Sequence, residues 1–109
     1  MERRKHRRVP ARVQGYLRGN SYEVKGRTLD LSVGGAKFES TLAVSPGNVI
    51  FIRLVVPGQA VPLSIQEARV QWVSDQAFGV KFHNVQPESL DELEQLIDEF
   101  DESAQAGHA

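Results

Sequence analysis

Val49-Ile50-Phe51-Ile52-Arg53-Leu54-Val55-Val56 is a nearly unbroken β-branched and aromatic run, closed by Pro57-Gly58. A run this short, bounded by turn residues, reads as a buried strand rather than a helix. Strand signals continue on both sides of it. Upstream, Ser45-Pro46-Gly47-Asn48 punctuates the chain, Ala36 to Glu39 is a short strand, and Ser32 to Gly35 is a glycine-rich turn. Earlier still, Val13, Gly15 and Leu17 alternate with Gln14, Tyr16 and Arg18, and Gly19-Asn20-Ser21 turns the chain toward a hairpin partner over Tyr22 to Leu29. Downstream, Leu63 to Val73 and Phe78 to Phe82 form another hairpin, turning near Ser74 to Ala77. Six short strands at this spacing predict an all-β fold, a small antiparallel barrel or sandwich.

The pattern changes at Pro87. Leu90, Leu93, Ile97 and Phe100 recur at spacings of three and four, which predicts an amphipathic helix over 87–102. Its other face is acidic, and Glu88, Asp91 and Glu92 suit the positive end of the helix dipole. Such a helix would cover an open end or seam of the barrel. The expected organisation is one domain: a flexible basic arm over 1–11, the barrel over 12–86, the helix over 87–102 and a frayed tail over 103–109.

Composition bounds the function. At 109 residues, 40% hydrophobic and 25% charged, the chain has the size and content of one globular domain, with no room for a separate effector module. It has no cysteine, so disulfides and thiolate metal sites are excluded, and three scattered histidines argue against a metal site. No apolar run approaches the ~20 residues of a membrane span, and no apolar segment follows the basic N-terminus to make a signal peptide. The chain reads as cytoplasmic, without membrane insertion. No nucleophile–base pair, phosphate loop or carboxylate pair is recognisable, so an enzyme is the least favoured class.

The formal net charge of −1 hides an asymmetry: residues 1–18 hold seven of the 13 Lys and Arg, and residues 88–102 hold eight of the 14 Asp and Glu. The basic residues concentrate in Arg3-Arg4-Lys5-His6-Arg7-Arg8, followed by Val9-Pro10. A run like this often serves only as a solvated arm with weak affinity for anionic polymers. It carries no aromatic residue to stack on bases and almost no apolar face to lie on lipid. Spacing suggests something more specific. In an extended chain Arg4 and Arg8 point to one side, roughly 13 Å apart, a span that can embrace an anion the size of a dinucleotide. A guanidinium fork can bond guanine O6 and N7 together, clamp a phosphate or stack on a base.

Asp30-Leu31-Ser32-Val33-Gly34-Gly35 lies where one strand ends and the next begins. As a plain turn, its Asp and Ser would bond local backbone and its glycines would supply positive φ. As a binding element, Asp30 could accept the N1 and N2 donors of a guanine edge, and Ser32 could bond a phosphate or a base. Gly34 and Gly35 would then let backbone approach the ligand without a Cβ in the way.

An Arg-x-x-x-Arg element, a strand hairpin and then Asp-x-Ser-x-x-Gly together resemble the PilZ domain family, bacterial receptors for the second messenger cyclic di-GMP. Arg4-Lys5-His6-Arg7-Arg8 with Val9-Pro10 matches the first motif; Asp30, Ser32 and Gly35 match the second. Similarity continues through Val70-Gln71-Trp72-Val73 and Phe78-Gly79-Val80-Lys81-Phe82. The resemblance implies a six-stranded antiparallel β-barrel with a C-terminal helix. It implies that Arg4 and Arg8 grip guanine and phosphate groups, with Asp30, Ser32 and Gly35 as the facing wall. Arg3 would reach a second molecule of an intercalated ligand pair. Arg3 and Arg7 have the same spacing as Arg4 and Arg8, but the Arg8-Val9-Pro10 match selects the latter pair.

For Trp72, the only tryptophan, core packing is the default in a strand and stacking on a guanine base is the alternative. His83 reads as a strand-end residue, and the acidic helix as a solvated face. The sequence therefore supports a cyclic di-GMP receptor, without further cofactor, whose arm orders on the ligand and whose altered surface is read by a separate protein partner. Two alternatives stand beside it: a PilZ-type protein–protein adaptor with weak or no ligand binding, and a basic-armed nucleic-acid-binding small barrel.

Overall fold

The structure, a computed structural model, describes residues 7–106. Seven strands precede one helix: β1 (Val9–Pro10), β2 (Gln14–Arg18), β3 (Glu23–Leu31), β4 (Gly35–Ser40), β5 (Val49–Leu54), β6 (Leu63–Ser74), β7 (Ala77–His83) and α1 (Pro87–Ala106). All pairings are antiparallel, and the order β3-β2-β5-β6-β7-β4 closes on itself through a β3–β4 pairing. This is the six-stranded antiparallel barrel with a C-terminal helix, plus one extra strand. The extra strand is β1, whose Val9 and Pro10 pair with Leu31 and Asp30.

Closure explains the burial pattern. Each strand turns alternate residues inward, so Leu17, Phe38, Ile50, Ile52, Leu54, Ile65, Val70, Phe78 and Val80 form one core. The run at 49–56, expected to be buried throughout, is buried only on alternate positions. Among the described residues none covers its other face: Phe51 and Arg53 are half-exposed, and Val49 and Val55 are exposed beyond 40%.

β1 and β2 lie along the same edge of β3, separated by a break at residues 11–13. Thr28, fully buried, bridges that break. Its hydroxyl accepts from the Val13 N–H at 2.9 Å and donates to the Ala11 carbonyl at 2.6 Å. The chain is therefore anchored from Val9 onward, with Val9 and Ala11 each 2% exposed. Pro87 opens α1, where its fixed φ suits the first helical turn. The helix buries Leu93, Leu96 and Ile97 against the core, packs on β1 and β6, and continues past 102 to Ala106. Leu96 joins the stripe of Leu93, Ile97 and Phe100 read from the sequence. Among the described residues no helix is long and apolar enough to cross a membrane.

Candidate functional site

Two β-bulges decide what the barrel shows on one side. Uninterrupted alternation from Thr28, which points inward, would also turn Asp30 inward. An irregularity between Thr28 and Asp30 inserts Leu29 as an extra residue, so Asp30 faces outward and Leu31 returns to the core. The same happens in β6. Ala68 and Val70 are core residues, and strict alternation would bury Trp72 beside them. An irregularity between Val70 and Trp72 sets Gln71 aside, and Trp72 emerges on the outer face, 42% exposed. The default core reading of Trp72 therefore does not hold, and the bulge is the reason.

The register then lines these residues up. Across β1, β3, β4, β7 and β6, Pro10 faces Asp30, Asp30 faces Lys37, Lys37 faces Gly79, and Gly79 faces Trp72. Arg8, just before β1, reaches the same strip: its Nη1 lies 2.5 Å from Asp30 Oδ1, with both side chains partly exposed. Trp72 lies down across Gly79, where any Cβ would overlap the indole ring. Lys37 Nζ sits over that ring, 5.7 Å from its centroid. At an exposed site such a cation–π contact contributes about 0.5–1 kcal/mol, and an exposed ion pair about as little, so both are easily exchanged for a ligand. The adjacent outward row, Gly35–Lys81–Arg69, adds two cations to the same face.

Arg7 and Arg8 turn opposite ways. Arg7 leaves the strip and pairs with Asp98 on α1 at 2.7 Å, with Asp101 at 3.6 Å. Of the two possible arginine registers, Arg8 is thus the one that meets Asp30. Arg3 and Arg4 lie outside the described residues.

Ser32, Gly34 and Gly35 occupy the turn beside the strip in a different capacity. The Ser32 hydroxyl is buried and accepts from the N–H groups of Gly34 and Gly35 at 3.2 and 3.1 Å; it also lies 3.2 Å from the Gly35 carbonyl. The Ser32 N–H donates to that carbonyl at 2.8 Å, so Ser32 ties the turn together. The glycines do not serve by positive φ, which among the described glycines occurs only at Gly47 and Gly58. Gly35 is needed for close approach, since a Cβ there would overlap the Val80 carbonyl oxygen. The Gly34 carbonyl accepts from the Phe82 N–H at 2.9 Å. The turn is welded to β7, and its side chains shape the wall more than they project from it.

Lys37 and Gly79 also belong to the strip, although neither stands in the Arg-x-x-x-Arg or the Asp-x-Ser-x-x-Gly motif. Lys37 follows Gly35 by two and shares its outward phase. Gly79 is the one residue without a side chain at an outward position between Phe78 and Val80. Among the described residues, no group of three or more His, Asp or Glu could hold a metal ion.

The molecule is thus a small closed barrel carrying a solvent-facing strip of cations, one carboxylate and one exposed indole. The chain belongs to the PilZ domain family, whose model matches residues 2–99. Its fold is similar to that of the PilZ domain of CeSA from a cellulose-synthesizing bacterium (TM-score 0.69, 22% identity, covering 86% of this chain and 97% of that one). It is also similar to the PilZ domain of Escherichia coli YcgR, whose structure contains c-di-GMP (TM-score 0.76, 18% identity, 98% of both chains). Against the Bacillus subtilis inhibitor of motility, MotI/DgrA, the TM-score is 0.72 at 16% identity, and the match covers 91% of this chain but about half (51%) of that one. Among curated proteins, none matches the chain.

Proposed function

We propose that this chain is a receptor for cyclic di-GMP, which binds along the strip from Arg8 to Trp72. The observation that carries the reading is the register that sets a guanidinium, a carboxylate and an exposed indole in one line on the barrel. These groups complement the parts of a guanine dinucleotide. Asp30 accepts the N1 and N2 donors, Arg8 bonds phosphate or the O6/N7 edge, and Trp72 offers a face for the base. Similarity to a PilZ structure holding c-di-GMP supports the same ligand.

In the free protein Arg8 and Asp30 satisfy each other. Ligand binding exchanges that weak pair for contacts to phosphate and base, and so moves the entry of β1 relative to the turn at 32–35. Arg4, by its place in the motif, joins Arg8 on the ligand, and Arg3 engages a second ligand molecule. A separate protein partner reads the altered surface, which makes the chain a regulator in bacterial second-messenger signalling with no catalytic step of its own.

Calorimetric titration with cyclic di-GMP beside cyclic di-AMP, GTP and a short RNA tests this. The expected result is binding selective for the guanine dinucleotide. Equal binding of all four anions would reduce the arm to unspecific electrostatics.

A further inference from the structure

We propose that Lys37, a residue of neither motif, is a ligand-binding residue that caps Trp72 in the free protein and transfers to a ligand phosphate when the base stacks. The inference rests on the receptor reading above and adds a residue and a movement to it.

Three features of the strip lead to this. First, Lys37 stands on β4 with Asp30 facing it on β3, and with Gly79 and then Trp72 facing it on the other side. A guanine whose polar edge meets Asp30 and whose face covers Trp72 therefore passes directly over the Lys37 position. Second, that space is occupied: the ammonium already sits over the indole, 5.7 Å from its centroid. Stacked rings need centroids about 4.5–7 Å apart, so base and ammonium compete for one volume. Third, Trp72 is supported from below by Gly79, where a Cβ would overlap the indole. The ring is held as a platform, and the mobile member of the pair is the lysine, whose four-carbon stem swings freely.

The displaced ammonium has only certain places to go. Asp30 becomes engaged by the guanine donors, the outward row on one side carries Lys81 and Arg69, which repel it, and on the other side Glu39 is already paired with Arg27 at 2.7 Å. The anion that arrives in the same step is the ligand's own phosphate. Lys37 thus acts twice, shielding the platform from other contacts and then rewarding a ligand that carries phosphate beside its purine. A purine without phosphate displaces the cap and gains nothing in return.

Trp72 is the only tryptophan, so its emission reports the cap directly. The experiment is a fluorescence titration of the full chain with cyclic di-GMP and, in parallel, with guanosine, for wild type, Lys37→Met and Lys37→Arg. We expect the free spectra of wild type and K37M to differ and the ligand-saturated spectra to coincide. Affinity for cyclic di-GMP should fall about tenfold in K37M, as for loss of one charge-assisted contact, while K37R stays within about threefold. Guanosine should bind K37M at least as well as wild type. Unchanged or tighter binding of cyclic di-GMP by K37M, with wild type binding normally, overturns the role of Lys37 and leaves the receptor reading standing. Identical free spectra overturn the cap. A wild type that does not bind cyclic di-GMP overturns the receptor reading and this inference together.

Discussion

Two outward faces of the barrel hold nearly the same side chains and put them to different use. On β2, β3 and β5, Arg53 pairs with Glu23 at 2.7 Å and lies over the Tyr16 ring at 5.2 Å. On β1, β3, β4, β6 and β7, Arg8 pairs with Asp30, and Lys37 lies over Trp72. Arginine, carboxylate, aromatic ring and a cation–π contact occur in both. In the first, Arg53 and Tyr16 are direct register partners within regular strands, and one cation serves both the carboxylate and the ring. In the second, two cations are divided between the carboxylate and the ring, bulges set both Asp30 and Trp72 outward, and Arg8 arrives from the chain end. A self-contained cluster and an open one thus share the same kinds of group, and differ in backbone placement and in the second cation that Lys37 adds.

The largest effect should come from the backbone that holds the open face. Gly35→Ala drives a Cβ into the Val80 carbonyl, a neighbour that cannot rotate away, and should destabilise the fold by about 3 kcal/mol, the upper end for overpacking. Gly15→Ala, on β2, meets the Arg53 carbonyl and the Leu54 Cδ2 at 3.2 Å, where small shifts suffice, and should cost about 1 kcal/mol or less. Thermal or urea unfolding of the two variants compares them. Equal losses would show that the close β4–β7 approach is nothing special to the site.

Next in size is binding. Arg8→Ala should weaken cyclic di-GMP by about 1.5–3 kcal/mol, the range for a hydrogen bond to a charged group, while Arg53→Ala leaves it unchanged. Calorimetry on both decides whether the open cluster binds and the closed one does not. Equal losses would make the ligand an unspecific anion for any arginine on the barrel.

The difference between the faces also marks where the sequence was readable. The barrel was legible because period-two alternation survives in β2, β4, β5 and β7. Arg8 and Asp30 were legible as motif positions, and the structure pairs them. The bulges were not legible: Leu29 and Gln71 look like ordinary members of an alternating run, so nothing in the pattern of Ala68, Val70 and Trp72 tells that the last faces out. β1 escaped notice because two residues, one of them proline, are too few to show a period. Ser32 fits a turn and a ligand contact equally well by type, and its part in holding the turn shows only in its hydrogen bonds to Gly34 and Gly35.

Thr28 links the open face to the core and should rank third. Thr28→Val keeps the shape but leaves the Val13 N–H and the Ala11 carbonyl without their side-chain partner, a loss of about 1–2 kcal/mol. The loss should appear in unfolding and also as faster amide hydrogen exchange at Val9 and Ala11. Unchanged exchange there would mean that pairing with β3 alone fixes the arm.

The smallest effect separates two neighbours. Arg7 and Arg8 carry the same charge, but successive residues of an extended chain face opposite ways, and only Arg8 meets the barrel strip. Arg7 pairs with Asp98, whose side chain is 64% exposed, and an ion pair so open to water contributes at most about 1 kcal/mol. Arg7→Ala should therefore lower stability only slightly and leave cyclic di-GMP binding within about threefold of wild type, since it removes background charge but no contact on the strip. Calorimetry of Arg7→Ala beside Arg8→Ala reads the contrast. If the two variants lose binding equally, the ligand responds to the summed charge of the arm, and the orientation that β1 imposes on Arg8 has no bearing on recognition.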